Sequence, residues 1–187
     1  MDQSEQADAV IRDHVGYSAA AAMIPVPLGD VLAITALQLD LFKSLSNIYE
    51  QDFTASLGKG LVMSLTGTSI ARIAASAVKA IPGVGWAGGG AVQLALAGST
   101  TYAIGHLFKS HFAAGGTLDT FNPEKAREMY EKYVEKGRSV VSEKGESPIS
   151  AEVVADALQK LVTLREAGDL TREEYDELKA KLITRSS

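Results

Sequence analysis

Residues 81–85 read Ile-Pro-Gly-Val-Gly, and they separate two long stretches with helical spacing, 53–80 and 86–114. Because proline cannot continue a helix and glycine readily adopts positive φ, this pentapeptide predicts a tight turn. One face of the first helix carries small residues, namely Gly60, Ser64, Gly67, Ala71 and Ala75. The matching face of the second helix carries Gly90, Leu94, Gly98, Thr101 and Gly105. Such faces let helix backbones approach closely, so we expect one close-packed antiparallel hairpin.

The rest of the chain also has helical periodicity. Helices are predicted over residues 4–23, over 30–50, and from the Asn-Pro-Glu at 122–124 to about residue 143. The turns and helix starts are assigned to a set of prolines, glycines and one capping carboxylate: Pro25, Pro27, Asp30, Pro82, Gly83 and Gly85. We therefore expect an all-α protein, a helical bundle around a Gly/Ala-rich antiparallel helical hairpin, plus a small C-terminal helical hairpin.

Changes in composition divide the chain into three parts. Residues 1–116 are predicted to form the helical bundle, 117–150 an amphipathic helix and linker, and 151–187 the C-terminal hairpin. About 35 residues are too few for a stable core of their own. The hairpin is therefore expected to dock on the bundle or on another copy of the chain. Its apolar positions are our candidates for oligomerisation: Leu158, Leu161, Leu164, Tyr175, Leu178 and Leu182.

The distribution of charge is the main functional signal. The chain has a net charge of −5, yet residues 59–116 contain no acidic residue. An acidic protein without a basic face is not expected to bind nucleic acid. The acid-free stretch must be covered by protein, be covered by lipid, or face an anionic partner. Candidates for membrane or interface contact within it are Lys59, Arg72, Lys79, Trp86 and Lys109.

Three interpretations of the hairpin at 60–108 remain open at this point: a two-helix membrane span, shallow association with an anionic surface, or burial inside the protein. Residues 80–105 are uncharged but rich in Gly, Ala, Ser and Thr, which gain little on transfer to lipid. Arg72 lies in the first of the two helices. If that helix is buried, Arg72 needs a carboxylate partner, for which Asp30 and Asp40 are candidates; otherwise its stem reaches the surface.

No motif in the sequence predicts catalysis, a metal site or a cofactor. The Gly-x-Gly-x-x-Gly at 83–88 lacks the preceding strand and the later acid that a dinucleotide site needs. His14, His106 and His111 lack the spacing of zinc ligands, and the chain has no cysteine. We therefore expect a non-enzymatic protein without a cofactor.

Two segments resemble a known family. They are Ala-Ala-Ala-Ala-Met-Ile-Pro-Val-Pro-Leu-Gly-Asp at 19–30 with Ala-Leu-Gln at 36–38, and the turn at 81–85 with Gly-Gly-Ala at 89–91 and Thr-Tyr-Ala-Ile-Gly at 101–105. Together they are similar to the bacterial domain of unknown function 697, over roughly residues 10–115. The resemblance implies association with small or dynamin-like GTPases and with inner-membrane proteins. This chain has no GTPase domain, so a GTPase is at most its partner.

Residues 153–183 resemble a short C-terminal module called SHOCT. The likeness rests on leucine spacing and a helix-capping turn: Leu158, Leu161, Leu164, Gly168, Leu170, Thr171, Glu174, Tyr175, Lys179 and Leu182. The resemblance implies a role in oligomerisation or interaction.

These observations favour a self-assembling scaffold or membrane-remodelling protein that associates with an anionic membrane surface. The alternative is a soluble interaction module that docks on a separate small or dynamin-like GTPase. Acidic residues at 2, 5 and 8 do not fit a secretory signal. The expected location is therefore the cytoplasm, at the inner face of the bacterial inner membrane.

Overall fold

A computed structural model describes residues 2–23, 29–66, 89–145, 151–168, 170–173 and 175–176; side chains are described for 2–22, 33–66, 95–141, 155–168, 170–173 and 175–176. These residues form helices and no strand, which confirms the expected all-α class. The helices are α1 (Gln3–Met23), α2 (Gly29–Ile48), α3 (55–66), α4 (Gly89–Ala113), α5 (Pro123–Gly145) and α6 (Ala151–Glu166).

Several predicted positions lie outside the described residues: Pro25, Pro27, Arg72, Lys79, Pro82, Gly83, Gly85, Trp86, Leu178 and Leu182. The backbone of Asp30 belongs to α2, but its side chain is outside the described set.

Local sequence explains where the described helices begin and end. At the start of α1, Asp2 Oδ1 accepts a hydrogen bond from the Glu5 amide (2.7 Å), and Glu5 Oε2 accepts one from the Asp2 amide (3.1 Å). This reciprocal arrangement satisfies amides that have no partner inside the helix. Asn122 caps α5 as predicted, because its Oδ1 accepts from the Lys125 amide at 3.0 Å. After α4 the chain turns at Gly115, whose φ is 79°.

The main core surrounds α4, which packs against α1, α2 and α5. Its centre is a group of aromatic rings: the Phe42 and Phe108 centroids are 4.0 Å apart, and those of Phe108 and Phe121 are 4.5 Å apart. Tyr130 of α5 is fully buried in the same cluster. Helix α5 therefore belongs to the core of the bundle, although the sequence analysis grouped it with a linker.

The glycines of α4 contact partners other than those predicted. A Cβ built on Gly98 would lie 2.8 Å from Val141 Cγ2 of α5, and one built on Gly105 would lie 2.7 Å from Ile11 Cγ1 of α1. On α3, Gly60 and Ser64 are exposed. Among the described positions, Gly60, Ser64, Gly98 and Gly105 therefore do not form the predicted contact between small faces; Gly67, Ala71 and Ala75 lie outside the described residues. The physical reason is that α3 buries its larger residues, Leu61, Val62 and Leu65.

Gly137, which was not singled out from the sequence, marks a close approach of α5 to the backbone of α4. A Cβ at this position would lie 2.9 Å from Ser99 Cα and 3.0 Å from Ser99 O. Because both are backbone atoms, no side chain can rotate away to make room. The sequence signal was a glycine in the middle of an amphipathic helix, where glycine otherwise costs stability.

We predict that Gly137→Ala lowers the free energy of unfolding by about 2 kcal/mol or more, because α4 and α5 must separate to accept the methyl group. Gly60→Ala is the matched control, since nothing lies within 4 Å of a Cβ at that exposed helical position. It should raise stability by about 0.5–1 kcal/mol, the usual gain from alanine in a helix. Urea denaturation followed by circular dichroism measures both. Equal effects of the two substitutions would contradict the close approach.

Candidate functional site

The exposed side of α3 is the first candidate site. We call Lys59, Gly60, Met63 and Ser64 the α3 surface; all four are exposed. The Met63 side chain is unusual among the described apolar residues, because 59% of its area is accessible. A cation beside an exposed thioether side chain, with no acid nearby in sequence, provides both charge and apolar area to an anionic partner.

The acid-free stretch thus divides into two described parts. In α4, Ala97, Ala103, Ile104, Phe108 and Phe112 are buried by protein. In α3, the residues of the α3 surface face outward. Burial inside the protein therefore accounts for the absence of acids in α4, whereas it does not account for it at the α3 surface.

Lys109, another candidate for membrane contact, forms an ion pair instead. Its Nζ donates to Asp8 Oδ1 at 2.5 Å, and the lysine side chain is largely buried. Its charge is therefore paired with the carboxylate of Asp8 in α1 and is not available to a membrane or another partner.

None of the helices in the described ranges combines the length and hydropathy that a membrane crossing requires.

The second candidate site is a polar contact among three helices, which we call the Asp40 junction: His14 of α1, Asp40 of α2 and Lys160 of α6. Asp40 Oδ2 lies 2.8 Å from His14 Nε2 and 2.8 Å from Lys160 Nζ. The Asp40 side chain is only 11% exposed. One carboxylate oxygen therefore connects the bundle to the C-terminal hairpin.

The electrostatics of Asp40 follow from this geometry. Burial opposes ionisation of the carboxyl group, but the hydrogen bonds and charges of His14 and Lys160 outweigh burial and hold the pKa of Asp40 below its usual value. The nearby Tyr17 hydroxyl has a raised pKa, because it is partly desolvated and lies near the carboxylates of Asp13 and Asp156. The junction thus has an ionised carboxylate held between basic groups.

Apolar contacts accompany the junction. Leu161, Leu164 and Leu170 are buried against α1 and α2, where the facing residues are small or medium-sized: Ala21, Ala33, Ala36 and Leu37. Tyr175 packs at the edge of this cluster, with the Arg165 guanidinium carbon 4.3 Å from its ring centroid. Of the two expected destinations of the hairpin, the structure therefore shows the bundle of the same chain. Leu158 is half-buried.

The hairpin turn follows its sequence signals. Gly168, expected to end the first helix of the hairpin, has φ 79°. The Tyr175 amide donates to Thr171 O at 3.0 Å, where the second helix was expected to begin.

The described part of the chain offers no metal-binding constellation. It contains no group of three or more His, Asp or Glu side chains arranged to hold an ion. His106 packs at a tilt against Tyr102 (4.1 Å between centroids) and stacks on Tyr133 (5.8 Å). Burial lowers the pKa of His106, which favours the neutral ring.

Two members of the Asp40 junction were considered separately at the level of the sequence. His14 was named only as a residue without the spacing of a zinc ligand, and Asp40 as a candidate partner of Arg72, which lies outside the described residues. The available signal was that a charged residue on an apolar helix face needs a partner. It could not identify which partner, because Lys160 is 120 positions away in the sequence.

We predict that Asp40→Asn lowers the free energy of unfolding at pH 7 by about 1–3 kcal/mol, because it removes a buried charge from between His14 and Lys160. The folded pKa of Asp40 is depressed, so its contribution is present above the unfolded value, near 3.8, and is lost as pH falls through the folded pKa. The difference from the parent protein should therefore shrink as the pH falls below the unfolded value.

Urea denaturation at several pH values measures this difference. Glu128→Gln is the control, because it removes an exposed ion pair with Lys132 and should leave the midpoint nearly unchanged. A stability loss in Asp40→Asn that stays constant as the pH falls below 3.8, over the range in which the parent protein remains folded, would contradict the assignment to charge.

Comparison with known proteins places the chain in a family. A protein of Magnetospirillum gryphiswaldense named "Magnetosome membrane protein 22" is 36% identical over 141 residues, covering 73% of this chain and 72% of the relative. No solved structure matches. The model of the family described as "Domain of unknown function (DUF697)" matches residues 1–139, that is, α1 to most of α5, and the C-terminal hairpin lies beyond the match. The chain belongs to the DUF697 family.

Proposed function

We propose that this protein is a non-enzymatic scaffold that associates with an anionic membrane surface through the α3 surface and self-assembles there. The observation that carries the proposal is the exposed Met63 beside Lys59, at the start of a stretch without acidic residues. The relative named as a magnetosome membrane protein supports a membrane-associated role. The proposed location is the cytoplasmic face of the bacterial inner membrane.

The proposed contact is peripheral and individually weak. Each lysine near an anionic leaflet contributes about 1 kcal/mol, and salt screens this attraction. Insertion of one methionine adds about 2 kcal/mol at most. A single α3 surface would therefore bind reversibly, and several copies presented together would bind far more tightly. Self-assembly is thus the property that would make this surface effective.

Self-assembly through the C-terminal hairpin requires a change in its contacts. Leu161 and Leu164 pack against α1 and α2 of their own chain. A second copy can use these leucines only where the hairpin leaves that position. Light-scattering measurements of mass, with and without vesicles, test the assembly part of the proposal. A monomer under both conditions would contradict it.

Docking on a small or dynamin-like GTPase remains the alternative proposal. It is supported by the resemblance described above and by the exposure of the α3 surface. Capture of purified nucleotide-loaded GTPases from the host distinguishes it. Binding that is lost in Met63→Asp, with no binding to vesicles, would favour this alternative.

We predict that Met63→Asp strongly reduces flotation with vesicles of phosphatidylglycerol and phosphatidylethanolamine, because it replaces apolar contact with charge repulsion. Met129→Asp is the matched control: Met129 is also exposed, at 47%, but lies on the charged helix α5. It should float like the parent protein. Both variants are checked for helix content first.

Salt separates the two components of binding. Loss of flotation at high salt indicates binding by cations alone, and retention indicates apolar insertion. A parent protein that never floats, or a Met129→Asp variant that fails as severely as Met63→Asp, would overturn the assignment of the α3 surface.

A further inference from the structure

Glutamates and lysines occupy separate, adjacent faces of α5. The glutamates recur at positions i, i+4, i+7 and i+11, and we call them the acidic stripe: Glu124, Glu128, Glu131 and Glu135. The lysines lie one residue after the first, third and fourth of these positions, and we call them the lysine stripe: Lys125, Lys132 and Lys136. Residues with this spacing share one side of a helix, so the two stripes run side by side along α5.

Both stripes point away from the bundle. All seven side chains are exposed, whereas Tyr130, Val134 and Gly137 on the other side of the helix are buried. Successive residues lie about 100° apart around a helix axis, which places the boundary between the stripes opposite those buried positions. The face of α5 that is turned away from α4 therefore carries both signs of charge.

Ion pairs within α5 hold these charges only loosely. Glu128 Oε1 lies 2.8 Å from Lys132 Nζ, but the two side chains are 81% and 65% exposed. Glu135 Oε2 lies 3.4 Å from Arg138 Nη1 and is also exposed. Exposed pairs contribute little to stability, so their members can change partners at small cost. Glutamates four residues apart also repel each other, and a facing row of cations relieves that repulsion.

The two stripes are complementary to each other across a parallel pair of α5 helices. In such a pair a two-fold axis runs between the helices, and the left flank of each helix faces the right flank of the other. Each acidic stripe then faces the lysine stripe of the other copy. In an antiparallel pair, equal flanks face each other, and glutamates oppose glutamates. The charges of α5 therefore favour the parallel orientation.

We propose that α5 forms an interface with a second copy of this chain, in which two α5 helices pair in parallel through their acidic and lysine stripes. The inference rests on the self-assembly in the proposed function and names the contact for it. Leu161 and Leu164 stay on their own bundle in this pair. Because exposed charges bind weakly and are screened by salt, the pair forms at high local concentration, as on a membrane.

The experiment exchanges charge between the stripes and measures the mass of the full-length protein by sedimentation equilibrium, in a concentration series at low salt. The acidic variant replaces the lysine stripe: Lys125→Glu, Lys132→Glu and Lys136→Glu. The basic variant replaces most of the acidic stripe: Glu128→Lys, Glu131→Lys and Glu135→Lys. Each variant alone should dimerise at least about tenfold more weakly than the parent protein, because like charges face each other. An equimolar mixture should regain dimerisation, because opposite charges face each other again.

A third variant controls for net charge. Arg12→Glu, Lys59→Glu and Arg172→Glu together give the same net charge as the acidic variant, but these exposed residues lie outside α5. This variant should dimerise nearly as the parent protein does, and it should not rescue the basic variant. Met129 lies at the edge of the face, beyond the lysines, so Met129→Asp leaves all seven charges in place. Circular dichroism checks the helix content of every variant first.

Cross-linking tests the orientation. Ser139 is exposed and lies on the boundary between the stripes, so in a parallel pair it faces Ser139 of the other copy. The chain has no cysteine, so Ser139→Cys introduces a single thiol. This variant should form a disulfide-linked dimer under mild oxidation. Arg127→Cys is the matched control, because Arg127 is exposed on α5 but lies outside both stripes. It should remain largely monomeric.

The outcomes separate this interface from self-assembly in general. A parent protein that assembles, with acidic and basic variants that assemble equally well, would overturn the α5 interface and leave self-assembly standing. A mixture of the two variants that fails to dimerise would also overturn it. So would a parent protein that stays monomeric throughout the series, whereas membrane binding is measured separately by flotation. Equal cross-linking of Ser139→Cys and Arg127→Cys would overturn the parallel orientation.

Discussion

The close approach of α4 to its neighbours is the constraint on which the bundle depends. Three positions without a side chain, Gly98, Gly105 and Gly137, place helix surfaces nearer than any Cβ would allow. Glycine within a helix lowers stability by up to about 1 kcal/mol relative to alanine, so the packing that each glycine permits must stabilise the bundle by more than that. That stabilisation comes from the aromatic and aliphatic core around Phe108, which forms only when α1, α2 and α5 lie close to α4. Substituting any one of these glycines therefore affects contacts that belong to the others.

The sequence was sufficient to predict the helices, but it was insufficient to predict which helices pack together. Caps and breakers such as Asn122 and Gly168 act within a few residues, so helix ends were predictable. The small-residue faces correctly indicated close packing around α4. They could not indicate the partner, because a glycine leaves room for many kinds of side chain, and the one that contacts Gly98 is Val141. The Asp40 junction could not be predicted for the same reason. A charged side chain on an apolar helix face indicates that a partner exists, but it does not indicate which residue the partner is.

The position of α4 in the core changes the interpretation of the charge distribution. The long acid-free stretch suggested one functional surface. Most described positions of α4, however, lack acidic residues simply because their side chains are buried. Lys109, which looked available, is held by Asp8. Within the described residues, the α3 surface combines the absence of acid with an exposed cation and an exposed large apolar side chain. The candidate contact surface is therefore much smaller than the sequence suggested, and it is centred on Met63 and Lys59.

The two bonds of the Asp40 junction hold different parts of the chain together. The bond between His14 and Asp40 joins α1 to α2 and lies wholly within the part of the chain that matches the family. The bond from Lys160 comes from beyond that match. The hairpin is thus attached to a carboxylate that already serves the bundle, so removing Lys160 affects only the hairpin, whereas removing Asp40 affects both. Because both bonds end on Asp40 Oδ2, any energetic coupling between them is reciprocal: if the His14 bond alters the attachment of α6, then Lys160 alters the attachment of α1 to Asp40 by the same free energy.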